Sequence, residues 1–140
     1  MYPPNSNWRL NDFFQRYYYY SYEEAVKNFT ESLAGYSFIC YLFNIKDRHN
    51  GNILLDSKGH LVHIDFGFIF TNAPGNFNFE NAPFKLTKEY VDVMGGLDGE
   101  MFDYFKSLLT KAFFEVRRHL DDLLAMIEIM FKHSEMECFV

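Results

Sequence analysis

The sequence predicts an α+β fold that is mainly helical and built around one short β-hairpin. Three observations carry this. Apolar residues recur at helical spacing over two long stretches, about residues 21–43 and 98–133. Between them lies one pair of short β-capable runs, Ile53-Leu54-Leu55 and Leu61-Val62-His63-Ile64, joined by the turn residues Asp56-Ser57-Lys58-Gly59. Of the 140 residues, 49% are apolar, enough for one domain with a core.

Residues 1–7 are polar with two prolines and are expected to be disordered. Arg9 to Tyr20 reads as a short helix running into a loop. Ser21-Tyr22-Glu23-Glu24 has the form of a capping box, with Ser21 as N-cap and Glu24 reaching back. The helix it opens runs to about Phe43, with Val26, Phe29, Leu33, Tyr36 and Cys40 on one face. Gly35 weakens it by roughly 1 kcal/mol unless close packing requires a glycine. The hairpin follows. Phe68 to Lys85, with Pro74, Pro83, Gly75 and four asparagines, has no helical period and reads as a long functional loop. Thr87 caps a short helix stopped by Gly95-Gly96. From Asp98 to about His133 the pattern is helical. Met101, Phe105, Leu108, Ala112, Phe113 and Val116 form one face, continued by Leu120, Leu124, Ile127 and Phe131, and this face is expected to pack on the core. The polar stretch Arg117 to Asp122 allows one bent helix or two.

Composition narrows the function. A net charge of −6 argues against a nucleic-acid binder with its basic stripe and against a polybasic membrane patch, and leaves peripheral contact through apolar residues open. The two cysteines, Cys40 and Cys138, form no zinc spacing or disulfide framework, which suits a reducing cytosolic compartment. Cys138-Phe139-Val140 is one residue short of a prenylation box. No apolar run approaches the ~20 residues of a membrane span, and Met1 to Trp8 lacks the pattern of a signal peptide.

The chemistry is concentrated in Ile45-Lys46-Asp47-Arg48-His49-Asn50-Gly51-Asn52 and His63-Ile64-Asp65-Phe66-Gly67. Asn52 lies five positions beyond Asp47, and Asp65 thirteen beyond Asn52. Kinase-class phosphoryl transfer needs three such groups: one carboxylate at the attacking hydroxyl, and an Asn and an Asp holding Mg²⁺ against the ATP phosphates. Mg²⁺ takes one or two hard protein oxygens and keeps several waters. The hairpin brings Asn52 and Asp65 to one end, where they can share an ion. Alone, Asp47 beside Arg48 is also a structural ion pair, and Asp65-Phe66-Gly67 an ordinary turn; the two motifs bridged by a hairpin favour the catalytic set. His60 and His63 read as structural, since no further histidine cluster accompanies them.

The order Asp47-Arg48-His49 is the reverse of the protein-kinase catalytic loop. Ile45 to Asn52 together with His63 to Phe70 resembles the phosphatidylinositol 3- and 4-kinases and their large protein-kinase relatives. Lys46 to Ile53 with Gly67-Phe68-Ile69 is most similar to the type III phosphatidylinositol 4-kinases. Phe84-Lys85-Leu86-Thr87, Val91 to Gly99 and the closing helices resemble their beta branch. The resemblance spans about Trp8 to Val140. It implies a protein-kinase-like C-terminal lobe, residues 8–140, whose hairpin carries the catalytic and activation loops. It implies ATP and Mg²⁺ as cofactors, Asp47, His49 and Arg48 in the catalytic loop (Arg48 as its support), Asn52 and Asp65 on the metal, and Leu54 and Ile64 against the adenine. For His49 a loop-ordering hydrogen bond stays open as the alternative.

The implied substrate is phosphatidylinositol in membranes, met peripherally. Phe68 to Ala82 contains no Lys or Arg and one Glu, so a head group bearing extra phosphates finds no cations there. Phe68, Phe70, Phe77 and Phe79 face either the bilayer or the lobe, and Lys85 either the lipid phosphate or solvent. The last turn and Cys138-Phe139-Val140 are allowed a membrane contact. Location on Golgi or other intracellular membranes, from the cytoplasm, follows from the resemblance alone, as does the 4-hydroxyl. A complete kinase also has an N-terminal lobe with a glycine-rich loop and a strand lysine. Gly35 is the sole glycine before Gly51, so that lobe is expected to be missing from this chain. The chain then reads as a kinase C-lobe incomplete for activity by itself, or as a non-catalytic module that binds partners or competes with the full enzyme.

Overall fold

The computed structural model describes residues 8–70, 82–132, 134 and 135. Expectations for residues 1–7, for Phe77 and Phe79 and the rest of 71–81, and for Cys138-Phe139-Val140 lie outside the described residues.

Helix α1 spans Leu10–Tyr17 and leads through a 3₁₀ turn, Tyr19–Ser21, into α2, Tyr22–Leu42. The hairpin is β1, Ile53–Leu55, and β2, Leu61–His63. After it come α3, Lys88–Val93; α4, Glu100–Arg118; and α5, Leu120–Phe131. The described chain is thus mainly helical with one two-stranded antiparallel sheet.

Helix α2 is the spine. It packs along α4 on one side and against β2 and α1 on others. Its buried residues, Phe29, Leu33 and Ala34 among them, meet Phe14 of α1, Val93 and Met94 at the end of α3, and Phe105 of α4. Aromatic rings lock this junction edge to face: Phe14 on Phe29 at 5.2 Å and Phe29 on Tyr90 at 5.5 Å. Further along α2, Phe113 of α4 inserts between Phe38 and Tyr41 at 5.2 and 5.1 Å.

The hairpin is fastened to α2 by polar side chains. Asn28 donates to the Lys58 carbonyl at 2.8 Å, and the Leu61 N–H donates to Ser32 Oγ at 2.9 Å. Tyr18 donates its hydroxyl to the Asp56 carbonyl at 2.6 Å. The turn itself is an Asx type, in which Asp56 Oδ1 accepts from the Lys58 and His60 N–H groups.

Two expectations are corrected, for Ser21 and for the apolar face of α5, and one alternative left open is decided. Ser21 does stand at the N-cap of α2, but its side chain caps nothing; the preceding 3₁₀ turn sets its backbone at φ −135°, ψ 29°, outside capping geometry, so the box with Glu24 does not close. The C-terminal pattern resolves into two helices, broken at His119. The apolar face of α5 does not join the core: none of its residues is buried. Thr87 caps α3 as expected, its hydroxyl accepting from the Tyr90 N–H.

Candidate functional site

The register of the hairpin builds the site. Ile53 pairs with His63, Leu54 with Val62 and Leu55 with Leu61. One step beyond, the Ile64 N–H donates to the Asn52 carbonyl at 3.0 Å. Asn52 and Asp65 therefore emerge side by side at the open end of the hairpin. The chain after Asp65 then doubles back: Lys46 N–H donates to Phe68 O at 3.0 Å, and Phe70 N–H to Phe43 O at 2.8 Å. These bonds draw the segment holding Asp65 alongside the one holding Asp47.

Asn52 is buried, and its Nδ2 donates to the Asp47 carbonyl at 2.9 Å. A carbonyl only accepts, so the amide nitrogen faces Asp47 and the Asn52 Oδ1 faces the other way. Asp65 is exposed, with Oδ1 3.4 Å from the Gly67 N–H. Two hard oxygens at one mouth, one neutral and one anionic, suit a small divalent cation that retains its water.

Asp47 and Asp65 both have left-handed backbones, at φ 61° and 58°. Asp tolerates this region better than most residues, at some cost. Arg48 holds both in place. It is only 4% exposed, and its guanidinium donates to three backbone carbonyls: Lys46 at 3.0 Å, Ile64 at 2.8 Å, and Asp65. Those carbonyls flank the two strained residues. Phe66 covers the guanidinium, its ring centroid 5.3 Å away. Arg48 thus forms no ion pair with the Asp47 carboxylate; the structural pairing left open above does not occur.

His49 is exposed and caps the turn Asn50–Asn52, its Nδ1 accepting from the Gly51 N–H at 3.0 Å. That bond puts the proton of the neutral ring on Nε2, which lies 3.9 Å from Asp47 Oδ2. Gly51 makes the arrangement possible, since a Cβ there would lie 2.9 Å from His49 Cε1. The loop-ordering bond and the approach to Asp47 coexist.

Leu54 and Ile64, with Val62 between them, form the outer, solvent-facing side of the hairpin, 49% and 39% exposed for the first two. Leu54 also lines a cavity of about 520 Å³ with Asn50, Trp8, Tyr17 and Tyr90; Ile64 does not. His60 is tied to Asp56 at 2.9 Å, and His63 is buried against α2. Among the described residues no group of three or more His, Cys, Asp or Glu is placed to hold a metal. Lys46, next to Asp47, donates from its Nζ to the Ala82 carbonyl at 3.3 Å.

The profile of the phosphatidylinositol 3- and 4-kinase family matches residues 5–139, and the chain belongs to that family. Within it, the chain is 55% identical over 115 residues to "Phosphatidylinositol 4-kinase beta" of Danio rerio, covering 82% of this chain and 14% of that protein. It is 50% identical over 133 residues to the protein of the same name in Homo sapiens, covering 93% of this chain and 16% of that protein. "Phosphatidylinositol 4-kinase" of Dictyostelium discoideum is 55% identical over 119 residues, 85% of this chain and 10% of that protein. The chain therefore spans a small part of the length of these relatives.

Proposed function

We propose that residues 8–140 are the C-terminal lobe of a phosphatidylinositol 4-kinase catalytic domain, which transfers the γ-phosphate of ATP to the 4-hydroxyl of phosphatidylinositol. The observation that carries the reading is the hairpin register, which sets Asn52 beside Asp65 and ties Asn52 to the backbone of Asp47. In this reading Asp47 orients the attacking hydroxyl and accepts its proton. His49, with its proton on Nε2, stands beside Asp47 toward the transferred group. Asn52 Oδ1 and Asp65 hold Mg²⁺, which neutralises charge on the ATP phosphates. Arg48 acts through the backbone on both aspartates. Leu54 and Ile64 offer a flat apolar surface to the adenine.

The relatives named as phosphatidylinositol 4-kinases support the lipid and the position of transfer. The enzyme would meet its substrate peripherally, at the cytoplasmic face of intracellular membranes such as the Golgi. No helix among the described residues is long and apolar enough to cross a membrane. An N-terminal lobe has to complete the ATP cleft. A second reading, a non-catalytic module that binds partners or competes with the full enzyme, draws support from the exposed apolar residues of α5.

The test uses the protein recovered from its own cells with an antibody to residues 98–140. Its mass is compared with the 16.7 kDa of this chain, and ATP-dependent phosphorylation of phosphatidylinositol vesicles is measured. A larger, active protein yielding the 4-phosphate is expected, with Asp65→Ala removing activity. Near-wild-type activity in Asp65→Ala would sink the metal assignment. A native mass near that of this chain, with no activity, would favour the module.

A further inference from the structure

We propose that Asn44 is a positioning residue for the site: its side chain latches the outer end of the segment that carries Asp65 to the segment that carries Asp47. The proposal rests on the lipid-kinase reading and adds to it the residue that keeps Asp65 in register with the catalytic loop.

Four described residues other than glycine have left-handed backbones: Asn44 at φ 50°, Asp47 at 61°, Asp65 at 58° and Phe70 at 57°. They fall in two short segments, 44–47 and 65–70, that are hydrogen-bonded to each other. Such conformations cost energy at each residue and persist where the surroundings over-determine them. Arg48 accounts for the inner pair, Asp47 and Asp65. The outer pair, Asn44 and Phe70, needs a fastening of its own.

Asn44 stands where α2 ends in a Schellman motif. The Ile45 N–H donates to the Cys40 carbonyl at 2.9 Å, and the Asn44 N–H to the Tyr41 carbonyl at 3.4 Å. Glycine is the usual residue at this position because it has no Cβ to strain. Asn is tolerated there and brings what glycine lacks, an amide side chain. Its Nδ2 donates to the Phe70 carbonyl. Phe70 in turn donates its N–H to the Phe43 carbonyl at 2.8 Å and sets its ring edge to face on Phe43, with 5.7 Å between centroids. Both polar backbone groups of Phe70 are thus bound to the two residues that close α2. The Lys46 N–H on the Phe68 carbonyl, at 3.0 Å, is the rung between this latch and Arg48.

The latch matters because the Asp65 side chain is weakly held. It is exposed, and the Gly67 N–H lies 3.4 Å from its Oδ1. Its placement beside Asn52 therefore comes from the backbone on either side: β2 before it and the latched run to Phe70 after it. Release of Phe70 would let residues 66–70 shift and carry Asp65 away from Asn52. Phosphoryl transfer depends mostly on positioning, so such a shift is costly.

Two variants separate the latch from the backbone. Asn44→Gly removes the amide and relieves the left-handed residue. Asn44→Asp keeps the tolerance for that backbone but replaces the donor by a carboxylate, which only accepts. In the 140-residue chain, amide hydrogen exchange at Lys46 and Phe70 should speed up ~2–10-fold in both variants, the worth of one hydrogen bond. The urea midpoint of Asn44→Gly should stay close to that of wild type, because backbone relief offsets the lost bond. In the native protein both variants should lower kcat for lipid phosphorylation ~10-fold or more. They should also raise the Mg²⁺ concentration that gives half-maximal rate, with KM for phosphatidylinositol unchanged. A residue that merely stabilised the fold would reduce the amount of active protein and leave the Mg²⁺ dependence where it was. Unchanged exchange at both amides, an unchanged Mg²⁺ dependence in the active variants, or a loss of rate that simply follows the urea midpoint would each overturn the proposal. Accelerated exchange in the variants of a native protein that phosphorylates no lipid would instead overturn the catalytic reading and leave the latch standing.

Discussion

His63 shows how the neighbourhood of the site depends on one side chain. It pairs with Ile53 across the hairpin, its ring stacks on Tyr36 at 4.2 Å, and its Nδ1 lies 3.8 Å from Cys40 Sγ. Its Nε2 is buried and, among the described residues, has no hydrogen-bond partner. Burial first, then the charges of Arg48 and Lys85, lower its pKa to about 4. The folded ring is neutral at pH 7, whereas the unfolded chain protonates near the ordinary value of about 6.5. Between those values the unfolded state binds more protons, so stability falls as pH falls through that window, by on the order of 3 kcal/mol. Urea midpoints at pH 7 and pH 4.5 should therefore drop more for wild type than for His63→Gln. Parallel losses would show that this ring does not set the dependence. The residue scale also marks a limit of the sequence. The spacing of Asp47, Asn52 and Asp65 is local and was legible. The left-handed backbones of the two aspartates, and the burial of Arg48 that holds them, were not, because no propensity records a guanidinium bound to carbonyls sixteen and seventeen positions away.

Among the elements, α2 and the hairpin form the working unit, and two glycines separate what is tight from what is loose. Gly59, in the turn, has φ +92°, and a Cβ there would lie 2.6 Å from the Ala25 carbonyl of α2. Gly59→Ala must push the hairpin off α2 or strain its turn, at an expected cost of roughly 2–4 kcal/mol. Gly35 lies on the exposed side of α2, and a Cβ there meets nothing within 4 Å. The close packing that would have justified this glycine is absent, so Gly35→Ala should stabilise by about 0.5–1 kcal/mol. Denaturation midpoints moving in opposite directions would support both; a neutral Gly59→Ala would mean that the turn does not hold the hairpin in place. The hairpin was readable because its turn residues and β-capable runs lie within eleven positions. Its attachment to α2 was not, because Asn28 and Ser32 are ordinary polar helix residues until Lys58 and Leu61 are brought to them. The capping box at Ser21 failed for a related reason: a four-residue pattern cannot anticipate a 3₁₀ turn that ends on its first residue.

The molecule as a whole ends its described helices on a surface that its own core does not use. Helix α5 carries Leu120, Leu124, Met126, Ile129, Met130 and Phe131, all exposed, with Ile129 at 68%. Periodicity in the sequence registers that these residues are apolar; it cannot register whether the same chain supplies something to cover them. A helix apolar over most of its circumference is ordinarily a buried one, and each such side chain gains ~1.5–3 kcal/mol on full burial. The relatives, of which this chain spans 10–17%, have far more polypeptide with which to bury such a helix. In the isolated 140-residue chain the same driving force can act on other copies. Sedimentation velocity should therefore show a weight-average coefficient that rises with concentration. Leu124→Glu combined with Ile129→Glu should abolish that rise while leaving the thermal midpoint nearly unchanged, because neither side chain belongs to the core. A monomeric wild type at the highest concentrations would show α5 to be inert. A double variant that unfolds would show that α5 packs on the lobe in solution. Loss of association with the fold retained is the result that exposed, unburied leucine and isoleucine on a separate helix require.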